Sequence, residues 1–189
     1  GSSLDSFKTV SSSEFAYTQY GEELTGSYPY TSSIYLQQFY AQSGFIEEKR
    51  RVYALKNTLN SYVHLSRHYA FSSSFGDKAQ QEISLVSIPS IYYGSAIDKG
   101  SVELCYYITG TLAAKLQDIK KNGELIQTYG AVGSGSVAGV VLYNEGFIVL
   151  TGSWKLDDTF QETLIYNAEY PAGGIDYARW TNWGAGRSE

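Results

Sequence analysis

The sequence predicts a mostly β, antiparallel fold, and the stretch 83–154 carries the observations that predict it. Residues 84–88 and 102–109 alternate polar and apolar side chains, which is typical of half-buried strands. Two turn signals, Asn122-Gly123 and Asn144-Glu145-Gly146, stand between apolar runs. From these features we expect antiparallel sheets packed as a sandwich or a jelly-roll-like domain, with one helix and extended arms.

The two turn signals predict two hairpins. Asn122-Gly123 lies between Ile119 and the apolar pair 125–126, and an Asn-Gly dipeptide in this setting is among the strongest short-range hairpin signals. The arms of the second hairpin, 139–143 and 147–150, are almost wholly apolar. Both faces of this strand pair should therefore be covered.

Outside the hairpins, the sequence predicts one helix and several irregular connections. A helix is expected near 47–60, because Val52, Leu55 and Leu59 follow helical spacing, with acidic residues leading and basic residues following. The serines at 72–74 are interpreted as a loop. Pro89 should stop regular pairing, and extended chain is expected to resume at 91–93.

Composition divides the chain into three parts. The segment 1–33 is rich in Ser, Thr and Tyr without a sustained period, and we interpret it as an extended arm. Residues 34–156 form the β-rich core, and 157–189 is interpreted as an irregular tail with a loop at 171–174. The chain contains no Met, which predicts that it is a processed product or a piece of a longer protein.

Charge and hydropathy argue against two classes of partner. The net charge is −5 and no basic patch is visible, so a nucleic-acid partner is not expected. The apolar runs are far shorter than a bilayer span, so a membrane partner is not expected either.

The chain has 18 Tyr residues, which suit large half-wet interfaces but also suit the surface of a sheet. The composition leaves both interpretations open.

No catalytic or metal-binding constellation emerges from the motifs. His64 and His68 stand four apart, but a metal site needs a third ligand, and Leu65 occupies the position of the Glu in a zinc-hydrolase helix. The segment 133–138 fits a GxGxxA pattern but precedes a β run, so it predicts a loop. The acidic residues cluster at turns, where backbone reasons favour them. We therefore predict no enzyme activity, no cofactor and no metal.

Three segments carry a resemblance to a known family: LKNTLNSYVHLSRHYAFSSSF at 55–75, SIPSIYYGSAIDKGSVELCYYITGTLAAKLQDIKKNGELIQ at 87–127, and GSGSVAGVVLYNEGFIVLTGSW at 133–154. They resemble segments of virion structural proteins of tailed bacteriophages, particularly marine and T4-like phages. The resemblance implies a component of a virion, assembled in the host cytoplasm, whose partners are copies of itself and other virion proteins. It brings no functional residues with it.

Aromatic residues outside the predicted strands are the candidates for anchoring contacts. Trp180 and Trp183 stand three apart in RWTNW, and Trp in such a segment more often anchors it to its own core or to a neighbouring subunit. A sugar-stacking platform is the other interpretation. The candidate residues are Tyr28, Tyr30, Trp154, Tyr177, Trp180 and Trp183.

The sequence thus favours a structural subunit of a tailed-phage particle that acts through protein–protein assembly and without catalysis. Extended Tyr-rich arms would add surface and strand edges to neighbouring subunits. The alternative is a carbohydrate-binding β-sandwich module, such as a receptor-binding tip or an adhesin.

Overall fold

The computed structural model describes residues 35–39, 52–108, 110–157, 161–163 and 175–184. The chain divides into two units between Tyr35 and Leu36, and the fold below is that of the second unit. The predicted mostly β class with one helix is confirmed for the described residues, which show one large sheet and two two-stranded sheets and not the pair of packed sheets of a sandwich. The strands are β1 (Tyr35–Phe39), β2 (Ser72–Ser73), β3 (Gly76–Asp77), β4 (Ile83–Ser87), β5 (Glu103–Ile108), β6 (Thr111–Gln117), β7 (Glu124–Tyr129), β8 (Val137–Leu142), β9 (Phe147–Leu150), β10 (Gln161–Thr163) and β11 (Ile175–Tyr177), and the helix α1 is Lys56–Ser61.

One large, curled sheet organises the fold, with its strands in the order β1-β4-β9-β8-β7-β6-β5. Hairpins join β5 through β9 as an antiparallel meander, and β4 pairs with β9 so that Ser84 lies opposite Leu150. We call the end with the turns 118–123 and 144–146 the upper end, and the end with 130–136 the lower end. Two small sheets pair β2 with β3 and β10 with β11.

The hairpin β8–β9 forms the centre of the core, as the apolar arms predict. Val141 pairs with Ile148, and the turn 144–146 closes the pair. Gly146 has φ 72°, a backbone conformation that side chains with a Cβ rarely adopt. The predicted burial on both faces is confirmed at Val140, Leu142, Ile148 and Leu150, which are all nearly inaccessible to water.

The other predicted hairpin is also present, with a longer connection than the Asn-Gly signal suggests. β6 and β7 pair antiparallel, and the residues 118–123 form the turn between them. Ile119 lies in this turn with 58% of its surface exposed, so it is not the last residue of a buried strand arm. The face alternation predicted for β5 is confirmed, since Leu104, Tyr106 and Ile108 are buried while Tyr107 is exposed.

Three local predictions are corrected by the structure. β4 is buried along both faces and not on one, and the 3-10 turn Trp180–Asn182 packs against it. The residues 91–93 are not extended, since Ser90–Tyr92 form a 3-10 turn after Pro89. Ser72–Ser73 is the short strand β2 and not a loop, because it pairs with β3.

The helix prediction near 47–60 is met in part. α1 covers its second half, and Leu59 on this helix is buried. Residues 47–51 lie outside the described part of the chain, as does the predicted arm 1–33.

The C-terminal part is less irregular than predicted. β10 pairs with β11, and the 3-10 turn Trp180–Asn182 is buried. The backbone N–H of Leu156 donates to Ala178 O at 2.8 Å, and the N–H of Thr181 donates to Gly152 O at 3.1 Å. These bonds connect residues 178–182 to residues 152–156, and Ala178, Trp180, Thr181 and Asn182 are buried.

Candidate functional site

Gln127 is the centre of a buried polar site that holds two indoles. Gln127 lies on β7, where it is buried next to the apolar residues Leu125 and Ile126. Its carbonyl Oε1 accepts hydrogen bonds from the indole N–H of Trp154 and that of Trp180, both at 3.0 Å. Its Nε2 donates to Val132 O at 2.6 Å. We call Gln127, Trp154 and Trp180 the indole cluster.

Trp180 is the deepest member of the indole cluster. Its side chain is 0% exposed, and its ring meets Tyr106 edge-on, with ring centroids 5.9 Å apart and an interplanar angle of 83°. This is one of the preferred arrangements of an aromatic pair. Trp180 is therefore covered by its own domain, and its faces are not accessible to a ligand.

Trp154 fits into a space that glycines provide. A Cβ on Gly133 would lie 2.0 Å from Trp154 Nε1, and a Cβ on Gly152 would lie 3.0 Å from Trp154 Cη2. Any side chain at position 133 would therefore displace the indole, and Gly133 also has φ 83°. The glycine-rich segment is thus a packing feature beside the indole cluster, and the loop interpretation holds for 133–136, because Val137 and Ala138 already belong to β8.

The other two C-terminal candidates make separate contacts. Trp183 is half-buried, and its indole N–H donates to the carbonyl oxygen of Cys105 at 2.9 Å, on the edge strand β5. Lys155 Nζ lies 3.6 Å from the ring centroid of Tyr177, a cation–π contact. The structure thus joins the side chains of Trp154 and Trp180 through Gln127, whereas the side chains of Trp183 and Tyr177 bind Cys105 O and Lys155. Tyr28 and Tyr30 lie outside the described residues.

A second buried polar site lies at the upper end. The carboxylate of Asp118 accepts hydrogen bonds from Gly100 N at 2.9 Å, from Gly123 N at 3.0 Å and from the Tyr143 hydroxyl. Burial, and then the hydrogen bond to Asp118, raise the pKa of Tyr143 far above its ordinary value. These bonds tie three connections together, so the Asp118 site is a structural clamp whose carboxylate is already occupied.

The histidines predicted to be ordinary side chains do not share a site. His64 is exposed, and its Nδ1 lies 2.8 Å from Ser61 O. His68 stacks on Phe75 with ring centroids 4.3 Å apart, and burial lowers its pKa. Nowhere in the described part of the chain do three His, Cys, Asp or Glu residues come together as a metal would require.

Lys78 and Cys105 are the remaining reactive side chains, of which Lys78 is buried and Cys105 is partly exposed. Lys78 Nζ donates to the carbonyls of His68 at 2.9 Å and Ala70 at 2.6 Å, and burial lowers its pKa to about 8. Burial, and then the charge of Glu103, raise the pKa of the Cys105 thiol. A raised pKa keeps the thiol protonated and therefore a weak nucleophile. Both groups act in packing.

The outer face of β5, β6 and β7 is polar and carries two exposed tyrosines. A chain of hydrogen bonds runs from the Thr128 hydroxyl to Gln117 Oε1 at 2.7 Å and from Gln117 Nε2 to Glu103 Oε2 at 2.7 Å. Tyr107 and Tyr129 stand on this face with 59% and 53% of their surfaces exposed. Their rings are open to a partner, unlike the indole cluster.

Gln127 and the two exposed tyrosines are the features that the sequence did not single out. A glutamine in a strand of mixed character gives little signal, because its partners are 27 and 53 residues away. For Tyr107, the alternation along β5 does place the ring on the outer face, so the signal was present.

Comparison with known proteins adds no identification, since no family model, no curated protein and no solved structure matches this chain. Within the described ranges, no helix has the length and apolar character needed to cross a membrane.

Proposed function

We propose that this protein is a structural subunit that works by association with copies of itself and with other proteins, without catalysis. The observation that carries the proposal is the set of large apolar side chains exposed on a rigid sheet domain. Isolated apolar residues are normal on the surface of a folded monomer, whereas larger contiguous apolar areas mark interaction sites. The exposed side chains are Tyr53, Phe75, Ile91, Tyr92, Tyr107, Ile119, Tyr129 and Val132.

Two buried polar sites of the described residues already act within the fold. The buried polar groups that might have reacted with a substrate already serve the fold: the carboxylate of Asp118 holds three connections, and the amide of Gln127 holds two indoles. An active site needs reactive groups in an accessible pocket, with a base or a nucleophile within reach. The exposed rings offer contact area instead.

The particle to which the subunit belongs is proposed from the resemblance in sequence. The segments 87–127 and 133–154, which resemble tailed-phage virion proteins, coincide with the meander β5–β9. On this proposal, the protein resides in the virion, and its partners are copies of itself and other virion proteins.

Light scattering over a range of protein concentrations tests the proposal. We expect the purified chain to be oligomeric at micromolar concentration, or to associate with particles from its source. A clean monomer at every concentration, together with no association with particles, would contradict it.

A carbohydrate-binding module is the second candidate, and the outer face of β5–β7 is the observation that favours it. Tyr129 follows Thr128, whose hydroxyl donates to Gln117, and an aromatic ring near hydrogen-bonding groups suits a sugar. The buried Trp180 does not suit this role.

A glycan array on the wild-type protein and on Tyr129→Ala and Trp180→Ala separates the two candidates. If the protein acts by assembly, the wild type should bind no glycan. Trp180→Ala should then be less stable than the wild type, whereas Tyr129→Ala should be equally stable. Glycan binding that Tyr129→Ala abolishes at an unchanged melting temperature would favour the carbohydrate module and would refute the structural proposal.

A further inference from the structure

The strand β5 lies at one end of the large sheet, and among the described residues it has a strand neighbour, β6, on one side only. The N–H of Asp118 donates to Val102 O at 3.3 Å, so this carbonyl of Val102 faces β6. Backbone groups of alternate residues face the same side of an antiparallel strand, so those of Glu103 and Cys105 face away from β6. A row of outward N–H and C=O groups is a template on which a strand of another chain can add.

The register of β5 leaves its first half suited to strand addition. Residues 103–106 pair with residues 114–117 without a shift, and the register shifts only after Tyr106. A bulge of this kind disturbs the edge, but it does so in the second half of the strand. Glu103 lies in the first half, and its carboxylate is already paired with Lys115 Nζ at 2.9 Å. Its charge therefore repels an incoming strand only weakly.

Trp183 lies against this regular stretch of the edge. Its indole N–H donates to Cys105 O at 2.9 Å, and this oxygen is one of the groups that face away from β6. The bond occupies an acceptor that an added strand would need. Because the donor is part of the ring, the indole itself lies beside the edge, where the backbone of an added strand would run.

The C-terminal 3-10 turn holds Trp183 in this position. The backbone N–H of Trp183 donates to Trp180 O at 3.1 Å. Trp180 is completely buried and meets the ring of Tyr106, which lies on the buried face of β5. One short turn therefore contacts the strand twice, with Trp180 on its buried face and Trp183 at its edge. Since Trp180 already orders the turn, the bond of Trp183 to the edge costs little conformational entropy.

We propose that Trp183 is a guard of the β5 edge, which prevents strands of other chains from adding to the sheet. The guard gives Trp183 a role that differs from that of Trp180, because Trp180 fills the core whereas Trp183 closes an edge. The inference goes beyond the proposed function, since a folded chain must avoid strand addition at this edge whether or not it assembles through its exposed side chains.

The substitution Trp183→Phe in the full chain tests the guard, because it keeps an aromatic ring and removes the indole N–H. Loss of one hydrogen bond should raise the population of chains with an open edge by roughly 2- to 10-fold. Strand addition starts from this population. Particles that scatter light and bind thioflavin T, a dye that reports stacked β-strands, should therefore grow faster by a similar factor. Trp183→Ala also removes the ring and should accelerate growth further.

Trp154→Phe is the matched control. Trp154 is also partly exposed, and it also loses one indole hydrogen bond, but its acceptor is Gln127 Oε1 on β7, inside the sheet. Circular dichroism and the melting temperature of Trp183→Phe and Trp154→Phe show whether both variants fold and how much stability each loses. We expect particles of Trp154→Phe to grow at the rate of the wild type.

A second substitution separates the edge from the rest of the surface. Tyr107 is an exposed residue of β5, and a Lys on an edge strand opposes strand addition. Tyr107→Lys also brings the net charge of −5 closer to zero, which by itself favours association. If the added strands lie on β5, the double variant Trp183→Phe/Tyr107→Lys should nevertheless grow as slowly as the wild type.

Faster growth in the Trp183 variants alone, with a return to the wild-type rate in the double variant, is the expected result. Trp183 variants that grow no faster than the wild type would overturn the inference. Equal growth of Trp183→Phe and Trp154→Phe would also overturn it, since aggregation would then follow lost stability. A double variant that keeps the fast growth would show that the added strands do not lie on β5. Every rate is compared with that of the wild type, so a failure of the proposed function leaves this test unaffected.

Discussion

Gln127 provides the sharpest test of how the core is held together. The substitution Gln127→Leu keeps the approximate volume and removes both hydrogen-bonding atoms. The indole N–H of Trp180, which is 0% exposed, is then left buried without an acceptor, at a cost of about 1–3 kcal/mol. Trp154 and the carbonyl of Val132 are closer to water, and each loses a bond worth about 0.5–1.5 kcal/mol. We expect the free energy of unfolding to fall by about 2–6 kcal/mol.

Gln117→Leu is the matched control for this prediction. Gln117 lies on the neighbouring strand β6 and also bonds two side chains, Glu103 and Thr128, but on the outer face where water can replace it. Its loss should cost less than about 1 kcal/mol, as is usual for exposed positions. Urea denaturation followed by Trp fluorescence measures both variants.

Nuclear magnetic resonance gives an independent readout. In Gln127→Leu, the indole N–H signals of Trp154 and Trp180 should shift strongly, whereas the signal of Trp183, which is bonded to Cys105 O, should not. If Gln127→Leu is no less stable than Gln117→Leu, or if all three indole signals move alike, the indole cluster does not stabilise the core as we describe.

Two further predictions concern the core and its response to alkaline pH. Leu142→Ala should lower the free energy of unfolding by about 2–5 kcal/mol, since Leu142 is fully buried, and a loss below about 1 kcal/mol in urea would contradict its central position. Burial raises the pKa of Tyr69 and of Tyr143 above the ordinary value of about 10, so the unfolded chain ionises first. Their contribution to stability should therefore be complete below about pH 10 and should be lost as the pH rises above it. Denaturation between pH 8 and 12 should show a smaller fall in Tyr143→Phe than in the wild type, and equal falls would refute this cause.

The hairpins could be predicted from the sequence because their signals are local. The turn 144–146 and its two apolar arms lie within a dozen residues, so periodicity and turn chemistry together specify the pairing. The 3-10 turn Ser90–Tyr92 was missed for a related reason. Ile91 and Tyr92 have high strand propensity, but here the hydrogen bond of Ile88 to Gly146 and the packing of Tyr93 decide the conformation.

The indole cluster could be predicted only in part. The composition of RWTNW predicts that the C-terminal indoles anchor the chain, and the structure buries Trp180 completely. The acceptor that they share could not be inferred, because Gln127 reaches Trp180 across 53 residues of sequence. Contacts of this kind are set by the curl of the sheet, which brings β7 and the C-terminal turn together.

The position of Trp180 also has a consequence for the order in which this chain acquires its structure. Hairpin contacts within β5–β9 are close in sequence and can form early, since short loops close at low entropic cost. Trp180, whose side chain packs against Tyr106, is synthesised only after these strands have left the ribosome. Until then, the meander would expose the surface that Trp180 later covers. Nascent chains stalled before residue 180 should accordingly be the species that chaperones bind, and chains stalled well beyond it should be released.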